Sequence, residues 1–174
     1  MCEITPEMRT VIIDWLIEVH QIFNFKEKSL YIAVQLLDQY LSKNKVEVED
    51  LQLVAISCIN LATKHEEVEF PILDNYITIS YDKFKKDDII KMEKKILKCI
   101  NFEIFKPNIL EFFEIFSVIM NLSQIEIFQG NYLLNIILMD VNMLQYNYSL
   151  LAFCVCKIVS KKDTKSLIYF LEDT

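Results

Sequence analysis

The chain has 174 residues, enough for one ordinary hydrophobic core or two small packed halves. A single glycine (Gly130) and three prolines exclude a phosphate-cradling Gly-rich loop, a dinucleotide fingerprint and a nucleophile elbow; with 53% apolar residues they point to an almost wholly helical protein. The net charge of −7 repels nucleic acid and anionic lipid, so neither is expected as a partner.

Thr5-Pro6-Glu7 reads as a helix start, with Thr5 as the cap and Pro6 in the first turn, and this first helix is expected to run to about Phe25. A second helix follows from about Lys26 to Lys43, and a third from about Glu49 to Glu67. Within the third, "LQLVAISCINLATK" is apolar on nearly every side, and a helix greasy all round is a central one. Ala55, Ser57, Cys58 and Ala62 are small enough to let neighbours approach it closely. Phe70-Pro71 breaks the chain before a short helix over Ile72 to Thr78, the "TISYDKF" connector, and a fifth helix from about Lys85 to Asn101. Phe102 to Lys106 is expected to be extended, because residues ahead of a proline avoid the helical region.

After Pro107 the helical rhythm resumes. One helix is expected over Asn108 to Met120, another capped by Ser123 and reaching about Asn142, a third over "YSLLAFCVCKIVSKK", and a shorter fourth over Thr164 to Leu171. The repeated rhythm suggests two related helical layers, an N-terminal unit over residues 1–106 and a C-terminal one over 107–174. The apolar runs are far too short to cross a bilayer. The five cysteines (Cys2, Cys58, Cys99, Cys154 and Cys156) lack zinc-site spacing and, with no secretory leader, point to reduced thiols in the cytosol or nucleus.

The first helix carries more apolar surface than a single packed face uses. At about 100° per residue, Met8, Val11, Ile12, Trp15, Val19, Ile22 and Phe23 form one stripe and Ile13, Leu16 and Ile17 an adjacent one. Either the helix is enclosed or part of it waits for a partner. Arg9 lies among these residues and Asp38 beside the apolar stripe of the second helix; the two could satisfy each other as a structural ion pair. Lys64 closes the third helix, where a cation suits the dipole, and Glu93 sits mid-way along the fifth. Cys58 and His65, seven apart, have no oxyanion donors that would make them a nucleophilic pair. Glu66-Glu67 has no Glu-x-x-His companion, so no metal site is expected. The run "KKDDIIKMEKK" is balanced by acids and reads as a solvated helix face.

"MRTVIIDWLIEV" resembles the first helix of the cyclin box, where the family reads M-R-x-x-L-x-D-W-L-x-E-V. "LYIAVQLLDQYL", "LQLVAISCINLATKHEE" and "KMEKKILKCINFEI" agree with the family in order and spacing, essentially without gaps from Met8 to Pro107. Mitotic A/B-type cyclins look most similar. "FKPNILEFFEIF" resembles the opening of the second cyclin-fold repeat.

The resemblance implies an all-α cyclin fold, a five-helix bundle around a central helix, followed by a second, shortened and incomplete repeat. It also implies a regulatory subunit that binds and activates a cyclin-dependent Ser/Thr kinase in the nucleus and cytoplasm, with no catalytic residue, cofactor or metal of its own. Lys64 and Glu93 match the residues that grip backbone groups beside the kinase C-helix; Leu61, Leu97, Phe102 and Ile104 match the apolar positions around them. His65 stands where mitotic cyclins commonly carry Phe or Tyr, keeping a ring but adding a titrating group. Met8, Val11, Ile12, Trp15, Glu18, Leu51 and Gln52 match the recruitment patch, which holds substrate or inhibitor peptides with a basic residue followed by a bulky apolar one. Arg9 and Asp38 match a family ion pair. The competing readings are a cyclin-fold transcription factor binding DNA, a small-molecule enzyme in a helical bundle, and a scaffold that holds a kinase without activating it. The family's helix ahead of Met8 and the last helix of its second repeat have no counterpart in the sequence, which points to a reduced or trimmed cyclin.

Overall fold

The structure, a computed structural model, describes residues 4–160. The described residues hold eight α-helices, one short 3-10 helix and no strand. The helices are α1 (Pro6–Phe23), α2 (Glu27–Lys43), α3 (Val48–Glu66), α4 (Leu73–Ile79), α5 (Lys86–Cys99), α6 (Ile109–Ile119), α7 (Gln124–Met139) and α8 (Tyr148–Ser160). The expected helix over Thr164 to Leu171 lies outside the described residues. None of the described helices is long and apolar enough to cross a membrane. The described residues divide into two compact units, residues 4–108 with Leu138–Val141, and Ile109–Ile137 with residues 142–160.

In the first unit α3 is the central helix, packed against α1, α2 and α5. From Leu53 to Thr63 every residue is buried, as its all-round apolar sequence requires. Ala55, Ser57, Cys58 and Ala62 are all fully covered, which fits close approach of the neighbours. Ser57 donates its hydroxyl to the Leu53 carbonyl at 2.8 Å, so its polarity is satisfied inside the helix. The Thr63 and Tyr76 hydroxyls meet at 3.0 Å and tie α4 to the end of α3.

Helix ends follow local chemistry. Thr5 Oγ1 accepts the Met8 N–H at 3.3 Å and Pro6 opens α1, as expected. Asn24, at φ 51°, closes α1 in the left-handed region, so the helix stops at Phe23 rather than Phe25. Ser123 and Glu126 form a reciprocal box at the start of α7: the Ser123 N–H donates to the Glu126 carboxylate at 2.7 Å, and the Glu126 N–H donates back to Ser123 Oγ.

Two expectations are corrected. α5 ends at Cys99, and Asn101 and Phe102 adopt φ of 54° and 61° instead of beginning an extended stretch. This left-handed turn lets the Phe102 N–H reach the Leu97 carbonyl at 2.8 Å and satisfy the helix end. The helix expected to reach Asn142 ends at Met139, followed by a 3-10 helix over Val141–Gln145. Here Arg9 Nη1 donates to the Leu138 and Met139 carbonyls, at 3.0 and 3.3 Å, and Thr10 Oγ1 to that of Met139. Side chains thus take the acceptors that another helical turn would use.

In the second unit α6 packs on α8, with Phe116 and Phe153 edge to face at 5.9 Å. Gly130 lies on α7 against the fully buried ring of Phe113; a methyl group built on it would overlap that ring. The chain's only glycine therefore marks a close approach of a side chain to backbone.

Candidate functional site

Lys64, in the last turn of α3, and Glu93, midway along α5, meet at 2.7 Å. Glu93 is buried, whereas 38% of the Lys64 side chain is exposed. A buried carboxylate needs partners to offset its lost hydration, and Glu93 has two. Lys64 Nζ and Asn60 Nδ2 both donate to its Oε1. Asn60 precedes Lys64 by four residues, one helical turn, so both project on the same face of α3. That spacing is the signal that would have found Asn60, which the sequence reading missed. The result is a fixed ion pair whose lysine side chain stays partly open to solvent.

The apolar residues expected around this pair separate by burial. Leu61 is buried and belongs to the core beneath it. Leu97 and Ile104 are half-buried, and Phe102 is exposed at 69%. Phe102 also occupies the left-handed region, which is costly for a bulky side chain. Such strain persists only where the surrounding bonds over-determine it. Here the Phe102 N–H to Leu97 and the Glu103 N–H to the Ile100 carbonyl, at 3.1 Å, hold the turn.

His65 is exposed beside Lys64. Its Nδ1 lies 3.0 Å from Glu66 Oε1, and its ring stacks on Phe105 with centroids 6.5 Å apart. Lys28 Nζ lies 5.0 Å from the centre of that Phe105 ring and 3.8 Å from Glu66. Phe105 was not among the expected site residues; nothing in its immediate sequence shows that it meets His65.

The expected recruitment patch also divides. Ile12 and Leu51 are buried; Met8, Trp15 and Gln52 are half-buried; Val11 and Glu18 are exposed, Val11 at 68%. α1 uses Ile12, Ile13, Leu16 and Val19 to pack on α2 and α3. Its other stripe, running through Met8, Val11, Trp15 and Glu18, stays open in part. The surplus apolar surface in the sequence is thus divided: Ile12, Ile13, Leu16 and Val19 are core, whereas Val11 and Ile22 are surface.

Arg9 and Asp38 are brought together as a bidentate pair, with Nε to Oδ1 and Nη2 to Oδ2 both at 2.7 Å. Arg9 is buried. No group of three or more His, Cys, Asp or Glu residues suited to holding a metal occurs among the described residues.

The sequence matches the family description "Cyclin, N-terminal domain" over residues 2–105. The chain belongs to the cyclin family. Its relatives include cyclin-B2-2 of Arabidopsis thaliana, 36% identical over 151 residues that cover 86% of this cyclin chain and 35% of that protein. Cyclin-A3-2 of the same plant is 37% identical over 115 residues, covering 66% and 31%. Cyclin-A1-2 of Oryza sativa subsp. japonica is 30% identical over 155 residues, covering 86% and 32%. The cyclin chain spans about a third of the length of these relatives.

Among solved structures, a viral cyclin from herpesvirus saimiri matches with a TM-score of 0.83 at 18% identity, covering 99% of this chain and 78% of that one. A chain of the yeast RNA Pol II CTD kinase CTDK-1 complex matches with a TM-score of 0.79 at 20% identity, covering 97% and 60%. At such identities the likeness establishes the fold, an all-α cyclin fold.

Proposed function

We propose that this cyclin is a non-catalytic regulatory subunit of a cyclin-dependent Ser/Thr kinase, and that Lys64 and Glu93 form the centre of its kinase contact. The observation that carries the reading is the ion pair itself, prebuilt between α3 and α5, with its lysine partly exposed and exposed Phe102 nearby in chain. An ammonium donates to carbonyls and a carboxylate accepts amide hydrogens, so the pair suits a partner's main chain. Both intramolecular bonds fall on Glu93 Oε1, which leaves Oε2 to accept an amide hydrogen from the partner.

In this reading the kinase C-helix is held inward, which completes the Lys–Glu pair that positions ATP in the kinase. Moving a kinase from 1% to 99% active requires a preference of about 5.5 kcal/mol for the active state. Exposed charge contacts contribute about 0–1 kcal/mol each, so most of it must come from apolar contact by Phe102, Leu97 and Ile104. The test is titration of a purified cyclin-dependent kinase with wild type, Lys64→Ala and Phe102→Ala, read by phosphorylation of a histone peptide. Wild type activates, Phe102→Ala needs at least about tenfold more protein, equivalent to about 1.4 kcal/mol, and Lys64→Ala needs up to about fivefold more. Equal activation by Lys64→Ala would sink the assignment.

The open stripe of α1 favours a second role in the same protein, peptide recruitment. Glu18 would meet a basic side chain, while Val11, Trp15 and Met8 would take the bulky apolar one. Burying one or two such side chains yields about 1.5–3 kcal/mol each, which supports at best micromolar docking. Tethering makes weak docking sufficient, because it raises the substrate's local concentration.

A further inference from the structure

The charge balance of the α5 run does not survive folding. Asp88 is engaged at the helix start, where its carboxylate accepts the Lys85 backbone N–H at 3.1 Å. Glu93 is turned inward to Lys64 and Asn60. Asp87 stays at the N-terminal end, where an anion suits the dipole. Left on the outer face are Lys91, Lys94, Lys95 and Lys98, all exposed. Their spacing of i, i+3, i+4, i+7 sets them on one side of α5, opposite the buried Ile89, Met92, Glu93 and Ile96. None of the four has an ion-pair partner among the described residues. Lys43 of α2 adds a fifth ammonium at the far end, 3.2 Å from the Cys99 carbonyl.

We infer that this stripe docks a short acidic peptide segment, with its carboxylate or phosphoseryl groups over the lysines. From Lys91 to Lys98 the helix advances about 10 Å, the reach of about three extended residues. The molecule as a whole carries −7, so a long polyanion or an anionic membrane would run off the stripe onto repelling surface. A short acidic segment feels mainly the local field, because charges are screened beyond about 8 Å at physiological ionic strength. The free helix meanwhile bears two like-charge i,i+4 pairs, Lys91 with Lys95 and Lys94 with Lys98, whose repulsion an anion relieves. The stripe therefore costs stability until it is occupied.

The test uses the full chain and two fluorescein-labelled peptides, one with a run of glutamates and one with glutamines in their place, titrated by anisotropy at about 50 and about 300 mM salt. The wild type binds the glutamate peptide at least about tenfold more tightly than Lys91→Gln/Lys94→Gln/Lys95→Gln/Lys98→Gln does, and the gap narrows at the higher salt. The quadruple variant melts at the same temperature as wild type or higher, and Lys94→Gln/Lys98→Gln shows an intermediate loss of binding. Equal binding by the quadruple variant, or equal binding of the glutamine peptide, overturns the inference. So does tighter binding of single-stranded DNA or phosphatidylserine vesicles than of the glutamate peptide.

Discussion

Arg9 meets Asp38 edge to edge, with two nitrogens on two oxygens at 2.7 Å, and still spares Nη1 for the Leu138 and Met139 carbonyls. One side chain thus joins α1, α2 and the end of α7 within the first unit. Removing one member of a buried pair strands the other, at a cost of about 3–5 kcal/mol. Arg9→Met is expected to lower stability by about 3 kcal/mol or more, and Arg9→Met/Asp38→Leu by less than the sum of the single changes. Urea unfolding followed by the fluorescence of Trp15, the only tryptophan, measures this. Additive losses would show that the pair is not coupled.

Lys64 and Glu93 should separate in their effects on stability. Lys64 is partly solvated, so Lys64→Ala is expected to cost under about 1 kcal/mol. Glu93→Ala leaves the buried Asn60 amide without an acceptor, at about 1–3 kcal/mol. Thermal melts of both variants distinguish this order from its reverse.

Phe102 offers a test in which binding falls while stability holds. Its side chain is exposed and its φ is 61°, so Phe102→Gly removes little burial and relieves about 1–2 kcal/mol of backbone strain. The variant is expected to be as stable as wild type while losing kinase affinity. A large loss of stability would mean that the ring packs in solution.

Stability should fall at alkaline pH. Burial pushes the Cys58 thiol well above its usual range, with Asp38 adding to the effect. Burial also pushes Cys156 up to about 12, opposed by a backbone hydrogen bond. Tyr76 is likewise pushed up to about 12 by burial, its Thr63 bond opposing and the Glu93 and Glu67 charges adding. Unfolded thiols and phenols release their protons near about 8.5 and about 10. Above pH about 8.5 the folded state therefore holds more of these protons than the unfolded chain, and stability declines as pH rises toward the folded values. Urea midpoints at pH about 8 and about 10.5 should show the drop, and Cys58→Ala should reduce it. A midpoint that does not move would count against it.

Trp15→Ala should impair phosphorylation of substrates carrying a docking motif more than that of short peptides lacking one. Equal loss on both would remove the case for a recruitment groove on α1.

What the sequence disclosed, and what it withheld, divides along the range of the interactions. Thr5, Pro6, Ser123 and Glu126 act on neighbours within one turn, so both helix starts were legible. The all-round apolar pattern from Leu53 to Ala62 placed α3 at the centre, because nothing but burial satisfies it. The end of α7 was not legible: it depends on Arg9 and Thr10, about 130 positions earlier in the chain. The turn at Phe102 was also hidden, since a left-handed phenylalanine contradicts local preference and is imposed by the carbonyls of α5. Asn60 and Phe105 join the candidate site through tertiary contact, whereas the spacing of Lys64 and Glu93 acquired meaning from the family resemblance. The lysines of α5 are a solvated face, as the run suggests, but that Asp88 and Glu93 point away from it was hidden, because composition counts charges without regard to direction.

The crossing at Gly130 carries a genetic consequence. Phe113 is fully buried and cannot swing aside, so even alanine at position 130 must push neighbouring atoms apart, at about 1–3 kcal/mol. In a domain of this size that lowers the melting point by about 2–4 °C for each kcal/mol. A one-methyl change at this codon should therefore make the protein heat-sensitive, with Gly130→Ala melting several degrees below wild type.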